Sequence, residues 1–242
     1  MTIPKLLLEV QNRRSDIIQL TSDLIKIPTI NPPGTNYREI CEFLSKRLKK
    51  SGFDVDIIRA KGALADTDKY PRFNLVARHE GTYSGPCIHF NSHIDVVDTG
   101  HGWTRDPFSG SIEGDKIFGR GSCDMKGGLA SSIVAAEVFI SIFPKYYGAI
   151  EISATADEET GGYGGVAWLA EKGYFNPKKV QSVIIPEPLN KDRICLGHRG
   201  VWWSEIETKG RVAHGSMPFL GDCAIRHLSL IHISEPTRPV VI

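Results

Sequence analysis

Four clusters of histidine or acidic residues punctuate this chain, and three of them follow apolar, strand-like runs. Ile88-His89-Phe90-Asn91 leads into Ser92-His93-Ile94-Asp95, and Ile150-Glu151-Ile152-Ser153-Ala154-Thr155 leads into Asp157-Glu158-Glu159. Val183-Ile184-Ile185-Pro186 leads into Glu187, and Gly119-Arg120-Gly121-Ser122-Cys123 leads into Asp124. Ligands of α/β sheets gather beyond the carboxyl ends of the strands, so these groups can converge on one point. One imidazole among several carboxylates is the chemistry of a divalent metal site.

Each residue has a specific use and an ordinary alternative. His93 and Asp95 are two apart in an extended chain and face the same side. Asp95 can then accept the second ring N–H of His93 and make its other nitrogen a better ligand. A lone histidine at a strand end is also commonly a satisfied core residue. Asp124 has two oxygens and can bridge two metals about 3.5–4 Å apart, or it can simply cap the helix that follows. Gly127 and Gly128 after it let backbone crowd the position. Glu158 and Glu159 are adjacent and point apart in extended structure, which lets one ligate while the other acts as a base. The same pair reads equally as a solvated acidic loop. Glu187 stands between Pro186 and Pro188, a rigid setting for an acid.

Those groups need a scaffold, and the hydrophobic pattern supplies one. Apolar residues at helical spacing predict a helix over residues 5–27, ended by Pro28 and the Asn31-Pro32-Pro33-Gly34 turn. A second helix covers 38–50, with Gly52 past its end. Strands are expected at 54–58, 74–78, 88–91, 150–155 and 182–185, with a buried helix over 127–143 and a short one over 165–172. The alternation predicts a three-layer α/β domain. Past Gly197 the texture changes: 201–208 alternates like a half-exposed strand, and Ala213-His214-Gly215-Ser216-Met217-Pro218 reads as a loop. A second domain is expected to start near Arg199.

Bulk properties narrow the class. With 29 basic against 28 acidic residues the chain lacks the surplus positive charge of a nucleic-acid or membrane-surface binder. The five cysteines form no CxxC pair, which favours a reducing compartment over a disulfide framework. Leu6-Leu7-Leu8 is too short for a secretory signal, and Glu137 interrupts the apolar run Val134–Phe143. A cytoplasmic protein is expected.

The order and spacing of the clusters carry more than each alone. Ser-His-x-Asp-Val-Val, Gly-Arg-Gly-x-x-Asp-Met-Lys-Gly-Gly, Asp-Glu-Glu-x-Gly-Gly and Pro-Glu-Pro, in this order, resemble the M20 metallopeptidase family. That family includes succinyl-diaminopimelate desuccinylases, acetylornithine deacetylases, aminoacylases and carboxypeptidases. Trp103, Pro107, Phe108 and the His214 loop share the resemblance, which runs from about Leu20 to about His227.

The resemblance implies an α/β/α zinc-hydrolase catalytic domain over 1–198 and, over 199–227, the start of an inserted α+β lid and dimerisation domain. It implies two zinc ions, with cobalt or manganese as substitutes. Asp124 would bridge them, His93 and Glu187 would complete one site, and Glu159 would bind the other. Glu158 would be the general base, and Asp95 would orient His93. His214 would reach the substrate in a partner subunit, making the lid a homodimer contact. The peptide bond after Asp124 would be cis. The reaction implied is hydrolysis of the amide bond of an N-acyl amino acid by a dizinc-activated water. A dipeptidase or carboxypeptidase is the alternative. The family's second zinc also needs a later histidine that His198, His214, His227 and His232 do not match, so the Glu159 site is expected to be under-ligated. Finally, 228–238 can be back-translated into a string resembling a transposon-type sequencing adapter. Residues 228–242 are therefore expected to be a non-native tail, and an inactive fragment that at most binds one metal stands as a further alternative to the enzyme.

Overall fold

The computed structural model describes residues 3–190, 192–197, 199–202 and 204–234. Two compact units divide between Asp192 and Arg193, six residues before the domain start read from the sequence. His198 and the tail beyond 234 lie outside the described residues.

The first unit is built on a mixed five-stranded sheet. Its strands are β1 (Asp54–Arg59), β2 (Phe73–Glu80), β3 (Tyr83–His93), β6 (Tyr147–Thr155) and β7 (Val180–Ile184), in the order β1-β2-β6-β3-β7. β3 runs parallel to both β6 and β7, while β2 is antiparallel to β1 and β6. The parallel trio therefore brings the ends of three strands to one edge, where His93, the residues after Thr155 and the residues after Ile184 all emerge. In register, His93 stands opposite Thr155.

One face of the sheet carries the core. Leu75 and Ala77 of β2 and Ile150, Ile152 and Ala154 of β6 pack with Ile40, Leu44 and Leu48 of α3 (Tyr37–Lys50) and with Leu129, Ile133 and Val134 of α4 (Lys126–Ile142). α3 is amphipathic, with its apolar residues at i, i+4 and i+8 on the buried side. α4 is apolar nearly all round, because it lies between the sheet and α2 (Arg14–Ile25). Leu44 and Leu48 are wholly enclosed, and Leu44→Ala costs about 2–5 kcal/mol. The opposite face is polar along its centre, where His89, Glu151 and Ser153 are buried, with Phe175 set edge-on against His89.

The expected elements appear, with three differences. The long first helix is two: α1 (Ile3–Asn12) and α2, separated at Arg13, whose side chain bonds Asp16 and Glu137. A hairpin of β4 (Ser111–Glu113) and β5 (Lys116–Phe118) adds to the expected elements, turning at Gly114-Asp115. In the second unit, the strand expected over 201–208 is absent from the described residues. Alternation makes a strand only where a neighbour completes its hydrogen bonds, and the isolated bridge described in this unit is Arg211 with Asp222. Trp202 is 92% exposed. The unit also holds a 3₁₀ turn (Pro218–Leu220) and α6 (Ala224–Ser234). α5 (Val166–Glu171) completes the helices. Among the described residues no helix is long and apolar enough to cross a membrane, and all five cysteines are free.

Candidate metal centre

His93 is the last residue of β3, and its side chain is 1% exposed. Its Nδ1 lies 3.0 Å from the main-chain carbonyl of Asp95. A carbonyl can only accept, so Nδ1 is the donor and Nε2 is the nitrogen turned toward the site. Nε2 meets Asp124 Oδ1 at 2.9 Å, with Glu187 Oε1 at 3.7 Å and Glu158 Oε2 at 3.9 Å. One ligand atom each from His93, Asp124 and Glu159 fall within 4.8 Å of one another. The four clusters read from the sequence therefore meet at one point.

Each side chain arrives by a different local device. Asp124 precedes α4, and its bond to Met125 is cis. The Met125 Sδ accepts the His93 backbone N–H at 3.1 Å. Glu158 and Glu159 lie on a 3₁₀ turn (Glu158–Thr160) entered through Asp157, which has left-handed backbone (φ 63°). The backbone that carries the two glutamates is therefore a turn and not the extended chain expected, and both side chains approach His93. Glu187 reaches the site because α4 begins close to Pro186. A Cβ on Gly128 would overlap the Pro186 carbonyl oxygen, so only glycine allows that approach.

Asp95 is fully buried, and its carboxylate serves the glutamate turn while also standing within ion-pair distance of the His93 ring. Its Oδ1 stands 3.6 Å from His93 Nδ1. It accepts the backbone N–H of Glu158 at 3.2 Å and of Glu159 at 3.1 Å. Asn31 adds a third bond at 2.9 Å and also donates to Thr160 Oγ1 at 2.9 Å. The shorter contact to the His93 ring is therefore made by the main-chain carbonyl of Asp95, with the carboxylate behind it. Two residues that help frame the site escaped the sequence reading. Asn31 had a visible signal, the Asn-Pro-Pro-Gly turn. Lys126 lies inside the Asp-Met-Lys-Gly-Gly motif but had no role read for it: it is completely buried, donating to the carbonyls of Leu24 at 3.0 Å and Ile27 at 2.8 Å. Burial pulls its amine down to about 7.

The electrostatics are lopsided. Burial pulls the His93 imidazolium down, but Asp124, Asp95 and Glu187 outweigh it and push the ring up to about 11. Contact with His93 lowers Asp124. Burial, reinforced by the charges of Asp124 and Glu158, pushes Glu187 up to about 7. Burial and the Asp124 charge raise Glu159 as well. Carboxylates with so little compensating charge fit a cation, and the imidazole-plus-carboxylate donors suit zinc, cobalt or manganese. His214 belongs to the second unit, exposed, with Nδ1 2.7 Å from Ser216 Oγ.

Residues 89–241 match the family described as Peptidase family M20/M25/M40. A probable succinyl-diaminopimelate desuccinylase of Staphylococcus epidermidis is 35% identical over 212 residues, which is 87% of this chain and 48% of that protein. A succinyl-diaminopimelate desuccinylase of Pseudomonas syringae pv. tomato is 32% identical over 228 residues, 91% of this chain and 56% of that protein. The chain thus spans about half the length of the curated relatives it matches. Among solved structures, human carnosine dipeptidase 1 shares the fold with a TM-score of 0.63 at 19% identity, over 76% of this chain and 41% of that one.

Proposed function

The chain belongs to peptidase family M20/M25/M40, and from that premise we propose that it carries the metal-binding part of an amidohydrolase acting on N-acyl amino acids, of the desuccinylase type. The observation that carries this reading is the meeting of His93, Asp124, Glu158, Glu159 and Glu187 at the carboxyl ends of β3, β6 and β7. The two desuccinylases among the curated relatives support the N-succinyl substrate class.

In this reading His93, Asp124, Glu159 and Glu187 would hold zinc, with the site of Glu159 under-ligated in this chain. The bound metal supplies Lewis acidity, which polarises an amide carbonyl and eases deprotonation of water near neutral pH. Glu158, whose side chain is 52% exposed, takes the proton of the attacking water and returns it to the leaving amine. His93 can ligate through Nε2 only as the neutral ring, and the Asp95 carbonyl on Nδ1 fixes the tautomer that leaves Nε2 free. Asp95 accepts the backbone N–H of both glutamates, which holds the base and the ligand on one turn. His214 contacts substrate across a homodimer formed by the lid that begins at about Arg199.

The test is turnover by the zinc-loaded protein on a panel of N-succinyl amino acids, N-acetyl amino acids and dipeptides. The proposal expects N-succinyl substrates to be cleaved fastest. It also expects Glu158→Ala to lower the rate on the order of 10²–10⁴ with zinc content unchanged. Faster cleavage of dipeptides would favour the peptidase alternative. Two bound zinc ions without any turnover would leave a metal-binding fragment.

A further inference from the structure

The loop from Ala156 to Gly165 carries Glu158 and Glu159, yet loops are the most mobile parts of a fold, and catalytic groups need placing to within about 0.5 Å. We propose that Arg72, immediately before β2, and Asn74, its second residue, form a clamp that positions this loop and through it both glutamates. The inference rests on the reading of Glu158 as base and Glu159 as ligand. Neither clamp residue touches the reacting groups, so both are positioning residues.

Asn74 holds the two stems of the loop at once. Its side chain is wholly buried, its Oδ1 accepts the Ala156 N–H at 2.9 Å, and its Nδ2 donates to the Gly164 carbonyl at 2.9 Å. A side-chain amide is suited to this because one head carries both a donor and an acceptor. Arg72 lies two residues earlier and holds the residue before Glu158. Its Nε donates to Asp157 Oδ2 at 3.0 Å, with both side chains 3% exposed. The same guanidinium donates from Nη1 to the Pro33 carbonyl at 2.7 Å and the Tyr70 carbonyl at 2.8 Å. It thereby ties the glutamate loop to the turn that supplies Asn31. Tyr37 donates to the other Asp157 oxygen at 3.2 Å.

Two further features show the loop built around the clamp. Asp157 adopts its left-handed conformation with both carboxylate oxygens engaged. Gly164 has no room for a side chain, since a Cβ there would strike Arg72 and Asp157. A buried ion pair contributes little net stability after desolvation, and conformational specificity is a recognised use for one. Here the position fixed is that of the residue immediately before the proposed base.

The experiment uses Asn74→Ser and the charge-neutral pair Arg72→Met with Asp157→Asn, which leaves no unpaired buried charge. Amide exchange by mass spectrometry and zinc chloride titration against a chromophoric chelator are read on each. The clamp predicts exchange at least about tenfold faster in the 156–164 segment, with β2 and β6 unchanged. It also predicts zinc affinity lower by about 10–100-fold, the usual effect of losing a group that orients a ligand. On any N-acyl substrate that is turned over, kcat falls while KM holds, and Arg72→Lys recovers part of the loss. A folded variant with wild-type zinc affinity overturns the proposal. So does failure of both variants to fold, which assigns Arg72 and Asn74 to general stability. A wild-type chain that binds zinc but hydrolyses nothing defeats the functional reading alone, and the clamp is then still decided by exchange and zinc affinity.

Discussion

Two clusters of charge lie within the first unit, and their accounts differ. One joins α2, α3 and α4: Asp16 takes two bonds from Arg47, at 2.9 and 2.8 Å, and Glu137 takes two more from Arg47 and one from Arg13. Ser51 completes Glu137 at 2.9 Å. Two guanidinium groups face two carboxylates, and every bond is made within the chain. The other cluster sets Asp124, Glu158, Glu159 and Glu187 around one imidazole. The first is closed and can only hold helices together. The second is short of positive charge and has ligand atoms converging on one point, the condition in which a protein binds a cation.

Removing a partner from the closed network should have the largest effect on stability. Glu137→Ala leaves Arg13 and Arg47 without a shared anion and is expected to cost about 3 kcal/mol, with zinc affinity unchanged. In thermal melts that is a fall of roughly 6–12 °C for a chain of this size. Loss of zinc binding in this variant would break the separation between the clusters. The open cluster should respond to metal instead. Zinc at about a hundredfold over its dissociation constant is worth about 2.7 kcal/mol, a rise of roughly 5–10 °C. A chelator should reverse it, and the Glu137 variant should show the same increment.

A smaller effect has the opposite sign. Glu187→Gln removes one of the mutually repelling carboxylates, so the metal-free protein is expected to gain about 1 kcal/mol or less while zinc binding weakens. A loss of metal-free stability, measured by urea unfolding, would mean that the cluster is internally satisfied after all. The smallest effect is acid sensitivity of the network. The Arg47 guanidinium, helped by Arg13 and opposed by burial, holds Asp16 well below the usual carboxylate range. A carboxyl group lowered by folding stabilises the protein above its unfolded value, near pH 4, and loses that contribution as pH falls toward the lower folded value. Asp16→Asn should therefore flatten the stability profile below about pH 4, by about 1 kcal/mol or less because the group is partly exposed.

The sequence revealed the open cluster better than the closed one. His93, Asp124, Glu158, Glu159 and Glu187 each sit beside a local signal, an apolar strand, a glycine-rich turn or a proline pair, that is weak alone, and their order along the chain makes the set legible. Arg13, Asp16, Arg47 and Glu137 look like ordinary charges on helix surfaces. Their meaning comes from pairing across separations such as the 124 residues between Arg13 and Glu137. The same holds for Lys126, a motif lysine whose complete burial among main-chain carbonyls no local pattern announces. Residues 201–208 show the converse failure: alternation is local, but a strand also needs a neighbour.

By itself the sequence determined the residue types of the site, their order along the chain and the α/β alternation that sends them to one edge of the sheet. These follow from periodicity and side-chain chemistry, which act within a few residues. The tertiary structure alone decided which atoms meet. It gave the partner of His93 as the main-chain carbonyl of Asp95, sent the Asp95 carboxylate to the glutamate turn, and put Arg72 and Asn74 behind that turn. Hydrogen bonds depend on tenths of an ångström between segments far apart in the chain, and only packing of the whole sheet and its helices sets distances that finely.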